Sequence, residues 1–404
     1  VSAAPHACDP LLTADCQQML VRLERAGVRA VHELSPEAAR RQGMKLFDLD
    51  RRQGEMRLLR QLLRQRGLSA SELASACGFS LEEVEQHLEQ MLASGTVLRA
   101  ERQKGTVTWS TRLSLRRRTL KHPDLLRKLE PEEGPAAVLR PRETLLSREL
   151  TLTGGLRARL YLPPSATGEP LPVVLFAHGG GWVTGSVDTH DSLCRTLCQG
   201  SGWAFLSVDY RLAPEHPWPA APDDMASALH WLHEHGAKLG VNPERLALMG
   251  DSAGGNLALV SALQARAAGW PLPLLLVLIC PTVDPSMACP SWRELADAPF
   301  LSAADMRWYY GHYAPDPDDW RAAPLRGDLR GLPPTLVISA MHDILRDEAL
   351  LLGQRLEQEG GTVWQRPVPG VFHDFVLFGQ AIAAAHQEQE EIGRLLRETA
   401  AASA

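Results

Sequence analysis

The chain has 404 residues, long for one domain, so two domains or one large domain carrying an insertion is the expectation. Apolar residues make up 45% and charged residues 22%, which excludes a disordered or fibrous chain. With 48 acidic against 42 basic residues, the formal net charge of −6 is too mild for a chain dedicated as a whole to nucleic acid or membrane.

Val1 to Gln17 holds no Lys or Arg and no continuous apolar run, so nothing there resembles a signal peptide. Residues 1–45 read as helical, with Leu20, Leu23 and Val28 at roughly helical spacing and a Ser35-Pro36-Glu37 start. Residues 46–121 are Arg-rich: 14 basic and 9 acidic residues give +5 and leave −11 for the rest. In this segment Glu55–Arg66 is an amphipathic helix with Leu58, Leu59, Leu62 and Leu63 inward. Ser69-x-x-Glu72 and Ser80-x-x-Glu83 are capping boxes for two more helices, ending before Gly78 and Gly95. Strand-like runs Val97–Arg102 and Thr106–Thr111 then flank a Lys104-Gly105 turn. Three helices and a hairpin in that order resemble a winged helix-turn-helix.

DNA binding is not the expectation for this segment. A buried stripe of Leu81, Val84, Leu88 and Met91 leaves Glu82, Glu83, Glu85, Gln86, Glu89 and Gln90 on the exposed face of the third helix. Carboxylates repel phosphates, and DNA affinity rests on cations that displace counterions. The stripe of Arg57, Arg60 and Arg64 lies on the first helix, which does not normally enter the groove. No specific nucleic acid is expected, and the segment reads as an assembly or protein-partner module, through a homo-oligomer or another chain, or as an enlarged lid.

Residues 122–404 form the third segment, and from about Val138 apolar runs alternate with helical stretches. The runs are Val173–Ala177, Ala204–Val208, Leu246–Met249, Leu274–Cys280 and Thr335–Ala340. Strands apolar on both faces and separated by helices imply a mostly parallel sheet covered on both sides, the α/β class. The longest apolar run, Leu272 to Pro281, spans ten residues, about half of what a membrane helix needs. The seven cysteines, Cys8, Cys16, Cys77, Cys194, Cys198, Cys280 and Cys289, include no Cys-x-x-Cys pair. Neither a zinc site nor a disulfide framework is expected, and the reading is a cytoplasmic protein without metal or cofactor.

Gly250-Asp251-Ser252-Ala253-Gly254 follows the run Leu246–Met249 and opens a helical stretch. That is the context of a nucleophile elbow, a turn so tight that the flanking positions carry no side chain and the serine hydroxyl stands clear of the sheet. His178-Gly179-Gly180-Gly181-Trp182 follows another strand. Its consecutive glycines let backbone amides face a tetrahedral oxyanion, with Gly180, Gly181 and Ala253 as the expected donors. No Walker lysine follows, which argues against a phosphate loop. Serine needs a base and an acid, in the chain order Ser, Asp, His. Asp343 follows the run Thr335–Ala340, and His373 lies in a Gly-rich turn past the strand-like Thr362–Pro367. His342 is a competing base, and Asp347 and Asp374 are competing acids.

The chain from about Val138 to Leu396 resembles the bacterial hormone-sensitive-lipase-like esterases, the family IV carboxylesterases of the α/β-hydrolase fold. Besides HGGGW and GDSAGG it carries Asp209-Tyr210-Arg211-Leu212-Ala213-Pro214-Glu215-His216, then Pro217-Trp218-Pro219-Ala220. Residues 9–41 look like that family's N-terminal cap. The resemblance implies hydrolysis of small carboxylic esters with short to medium acyl chains through an acyl-enzyme, without cofactor or metal. It carries over Ser252 as nucleophile, Asp343 as acid, His373 as base, and Gly180, Gly181 and Ala253 as oxyanion donors. Trp182, Trp218, Met287, Trp292, Phe300 and Trp308 are candidate pocket walls. Many members have Pro where this chain has Ile344, and the 46–121 insertion is a larger departure. Amide or thioester cleavage uses the same triad and stands as the alternative. A ligand-sensing regulator on this fold is a further one, weakened by the presence of Ser252, Asp343 and His373 together.

Overall fold

A computed structural model describes residues 10–25, 28–43, 69–77, 84–85, 87–89, 97–102, 106–111, 145–163 and 169–402. The chain divides into two compact units, one of Val1–Phe47 with Glu143–Ala404 and one of Asp48–Arg142.

In the Asp48–Arg142 unit, a helix runs over Ala70–Cys77. Its start carries the reciprocal cap that the sequence announces: Glu72 N–H donates to Ser69 Oγ at 3.3 Å, and Ser69 N–H donates to Glu72 Oε2 at 2.7 Å. Leu73 and Ala74 are buried on one face, and Val84 and Leu88 are buried in the helical residues that follow. Strands β1 (Val97–Arg102) and β2 (Thr106–Thr111) pair antiparallel, with Val97 opposite Thr111 and Arg102 opposite Thr106. The expected first helix at 55–66, the Ser80 cap and the Lys104-Gly105 turn lie outside the described residues.

The larger unit is built on eight strands: β3 (Leu146–Thr151), β4 (Arg157–Leu162), β5 (Leu171–Ala177), β6 (Ala204–Asp209), β7 (Val241–Asp251), β8 (Leu275–Ile279), β9 (Thr335–His342) and β10 (Val363–Phe372). Their order across the sheet is β10-β9-β8-β7-β5-β6-β4-β3. The six from β10 to β6 run parallel, and β4 and β3 pair antiparallel at one edge. Strand β4 is not apolar on both faces: its sequence alternates Arg157, Ala158, Arg159, Leu160.

Alternation along β5 places Val173, Leu175 and Ala177 in one core, with Leu257, Leu276 and Val337, and turns Val174 and Phe176 to the opposite face. Helices Ala220–His235 and Ala253–Ala268 pack together, as do Asp191–Ser201 and Ala383–Ala402. The register sets the site. Ala177 lies level with Gly250, so the loop after β5 emerges beside the turn after β7. Phe372 lies level with His342, so Asp343 and His373 follow side by side.

Ahead of the sheet, helix Ala14–Arg25 buries Cys16, Met19, Leu20 and Leu23, three or four residues apart on one face. A second helical stretch covers 36–43. Among the described residues no helix is long and apolar enough to cross a membrane.

Candidate active site

The turn from β7 into helix Ala253–Ala268 holds Ser252 at φ 52° and ψ −118°. A non-glycine residue with positive φ stores about 1–3 kcal/mol of strain and persists only where its surroundings fix it. Here the flanking glycines let the turn close. A Cβ on Gly250 would overlap the Gly254 carbonyl, and a Cβ on Gly254 would overlap the carbonyl of Ala177. The need at these two positions is space rather than backbone freedom, since neither has positive φ.

Ser252 Oγ lies 2.9 Å from His373 Nε2, and His373 Nδ1 lies 2.6 Å from Asp343 Oδ2. Asp343 Oδ1 accepts from Leu345 N–H at 2.9 Å, which orients the carboxylate. All three side chains are buried. Burial opposes the imidazolium form of His373, yet the Asp343 and Asp374 carboxylates together hold its pKa well above the ordinary imidazole value. In this arrangement a proton can pass from serine to imidazole while a carboxylate fixes the tautomer.

The other candidates do not take the place of Asp343 at Nδ1 or of His373 at Ser252. Asp347 accepts from Ser291 N–H at 2.8 Å and pairs with Arg346. His342 is buried at the end of β9, next to Asp343, and the contact to His373 is made by Asp343. Asp374 does reach the imidazole, but at the other nitrogen: its Oδ2 is 3.2 Å from Nε2.

The loop after β5 is folded tightly around the Gly180 carbonyl, which accepts from Val183 N–H at 3.1 Å, Thr184 N–H at 2.9 Å and Thr184 Oγ at 3.0 Å. Three donors on one oxygen fix that peptide plane and turn the Gly181 N–H the opposite way. Gly180 sits at φ 115° and Gly181 at φ 58°, and a Cβ on Gly181 would enter the ring of Tyr309. The amides of Gly180 and Gly181 take no part in the loop's internal hydrogen bonds. Ala253, first in its helix, has an amide with no acceptor inside the helix.

Several supporting contacts were not assigned from the sequence, although most of their residues stand in the motifs quoted above. Tyr210 Oη donates to the His178 carbonyl at 2.7 Å, and the two rings stack with centroids 4.2 Å apart. His190 Nε2 lies 3.0 Å from Asp251 Oδ2, tying the strand-β7 turn to the segment after the glycine loop. Arg40 donates to the carbonyls of Val183 at 2.8 Å and Ala213 at 2.7 Å, and pairs with Glu215.

Trp182 packs inward, its ring stacked on Tyr313 with centroids 4.2 Å apart, and Trp292 donates to the buried Glu348 at 3.0 Å. Trp218, Met287, Phe300 and Trp308 are half-buried. Of these, Phe300 rests on Phe372, the neighbour of His373, with ring centroids 5.4 Å apart. Among the described residues, ligand atoms of Cys280, Asp343 and His373 lie within 4.8 Å of one another. Two of these groups, Asp343 and His373, are hydrogen-bonded to each other.

Residues 174–377 match the α/β hydrolase fold family. The chain is 41% identical over 234 residues to Carboxylesterase NlhH of Mycobacterium tuberculosis, covering 56% of this chain and 73% of that protein. It is 39% identical over 240 residues to an ethyl acetate hydrolase of Pseudomonas putida, covering 57% and 75%. Among solved structures, a thermostable esterase from Pseudomonas putida aligns with a TM-score of 0.61 at 35% identity, over 64% of this chain and 84% of that one. A hyperthermophilic esterase from the archaeon Pyrobaculum calidifontis aligns with a TM-score of 0.60 at 39% identity, over 64% and 87%. By sheet order, by matched residues and by these likenesses, the chain belongs to the α/β-hydrolase family, in its hormone-sensitive-lipase-like branch of carboxylesterases.

Proposed function

We propose that this esterase cleaves carboxylic esters of short to medium acyl chains through an acyl-enzyme on Ser252. His373 takes the serine proton as Oγ attacks the ester carbonyl, and Asp343 holds the imidazole in the tautomer that leaves Nε2 free. The amides of Gly180, Gly181 and Ala253 receive the oxyanion as it forms. His373 then returns the proton to the leaving alcohol. A water, deprotonated by the same nitrogen, releases the acid and regenerates Ser252. No step calls for a metal or an organic cofactor.

The observation that supports this reading most directly is the hydrogen-bonded chain from Ser252 Oγ through His373 to Asp343. A panel of p-nitrophenyl esters from acetate to palmitate tests it, with Ser252→Ala and His373→Ala as controls. Each substitution is expected to lower kcat on the order of 10⁴-fold or more while the protein stays folded, because the two groups act as a unit. Near-normal turnover by folded His373→Ala would remove the assignment of the base.

For the 46–121 segment, the proposal is an assembly or protein-partner module rather than a duplex-DNA reader. Helical residues Glu85 and Glu89 bring carboxylates to a position where phosphate binding needs cations. Size measurement of the whole protein with and without the segment tests this, beside a duplex-DNA titration.

A further inference from the structure

The mechanism above uses one carboxylate on His373, and the structure supplies two. Asp374 follows His373 directly, with φ 53° in the left-handed region, and its side chain is buried. Its Oδ2 is 3.2 Å from His373 Nε2, the same nitrogen that lies 2.9 Å from Ser252 Oγ. Its Oδ1 is buried without a hydrogen-bond partner. The imidazole therefore lies between Asp343 at Nδ1 and Asp374 at Nε2.

We propose that Asp374 is a catalytic residue that holds the Nε2 proton of His373 in the resting enzyme and so sets the acid limit of Ser252 activation. This rests on the Ser252–His373–Asp343 reading. With carboxylates at both nitrogens, the imidazole is retained as an imidazolium whose Nε2–H is shared between Asp374 Oδ2 and Ser252 Oγ. In that state Nε2 has no lone pair for the serine proton. Activation begins when the Nε2 proton leaves to solvent. The freed lone pair then accepts the Ser252 Oγ–H proton as Oγ bonds to the ester carbon, and the imidazolium re-forms between the two carboxylates.

The surrounding groups agree with that ordering. Cys280 at the end of β8 is neutral, its thiol pushed well above the usual value by burial. Asp251 on β7 acts on Asp374 but is itself paired with His190. Burial pushes the Asp374 carboxyl up to about 6, with His373 working against that rise. The net field at the imidazole is negative and comes from Asp343 and Asp374.

Two variants test this. Asp374→Asn keeps the shape and tolerates the left-handed backbone, and Asp374→Gly suits the same φ. For wild type and both variants, two rates are followed from about pH 5 to 10, the range in which a catalytic imidazole titrates. One is kcat/KM for p-nitrophenyl butyrate, and the other is phosphorylation of Ser252 by diethyl p-nitrophenyl phosphate, read by mass. The expected result is an acid limb lying lower in the variants by about one unit or more, since an opposite charge at this range moves a pKa by ~1–3 units. The plateau should also fall, because the imidazolium has lost a partner. A residue with a merely structural role would lower the rate and leave the midpoint in place. Coincident midpoints in wild type and either folded variant, or a limb that moves upward, overturn the proposal. If Ser252 of the wild type takes no phosphoryl label at any pH, the triad reading falls and this one with it. Labelled Ser252 with coincident limbs removes this one alone.

Discussion

The phenol of Tyr210 donates to the backbone carbonyl of His178 at 2.7 Å while the two rings lie nearly parallel, 14° apart. Two motifs separated by a helix and a strand are thereby joined at the base of the glycine loop. Tyr210→Phe keeps the stack and removes the donor. The expected loss is about 1–3 kcal/mol of stability from the orphaned carbonyl. It should come with a fall in kcat larger than any change in KM, since the loop that carries the proposed oxyanion donors loses its anchor. Denaturant midpoints and steady-state kinetics on the same preparation check both.

His178 itself should make the protein acid-sensitive. Burial, and secondly the neighbouring His190, lower its pKa to about 3, against about 6.5 in the unfolded chain. The fold accommodates the neutral ring, so the unfolded state gains protons first as pH falls. The contribution of His178 is complete above about 6.5 and is lost down to about 3, at about 1.4 kcal/mol per pH unit. In His178→Phe, stability measured across that window should decline less steeply than in wild type. Parallel slopes would refute the assignment. His190 and His373, whose pKa values are raised, are present in both proteins and drop out of the difference.

Glycine substitutions should split by surroundings. Gly254→Ala drives a methyl into the Ala177 carbonyl, and backbone on both sides of the contact cannot yield. A loss of about 3 kcal/mol or more, or failure to fold, is expected. Gly200, inside helix Asp191–Ser201, has nothing within 4 Å of a built Cβ. Gly200→Ala should stabilise by up to ~1 kcal/mol through helix propensity. Thermal melts of the two variants give opposite signs.

Arg40→Ala cuts two hydrogen bonds to backbone carbonyls and one ion pair with Glu215. The ion pair is exposed on the Glu215 side and adds little. The carbonyl bonds, made by a charged donor, are worth about 1.5 kcal/mol or more. We expect a melting temperature lower by a few degrees, with up to about a tenfold fall in kcat/KM and a changed preference along the ester series. An unchanged profile across acyl lengths would show that the N-terminal segment is not coupled to the reacting end.

Much of this was legible in the residues, and the exceptions have physical causes. The inner parallel strands announced themselves because both faces are buried, which leaves Val173–Ala177 and Leu275–Ile279 apolar throughout. Their ends carried Gly, His and Asp punctuation, so Ser252, Asp343 and His373 could be named before their distances were known. Strand β4 was hidden by Arg157 and Arg159, whose ion pairs with Glu149 and Asp188 hold that edge of the sheet. Pairings such as Tyr210 with His178, or Asp251 with His190, join residues tens of positions apart and leave no local periodicity. Trp182 could equally have faced a pocket or the core, and its stacking on Tyr313 is a tertiary fact that a Gly-Gly-Trp string does not encode.

Two of the contacts that fasten the N-terminal segment lie beside the candidate site. Thr13 N–H donates at 2.9 Å to the Gly370 carbonyl, in the strand that ends just before His373, while Arg40 holds Val183 and Ala213 beside the glycine loop. A piece of chain moored beside the proposed base and beside the proposed oxyanion loop at once cannot be re-tilted without tugging on one of them. For laboratory evolution, this makes selectivity and turnover genetically linked traits. Mutations gathered between Leu11 and Gly43 under selection for a bulkier ester should bring rate changes with them, and restoring the rate should call up second-site changes near Gly370 or Ala213.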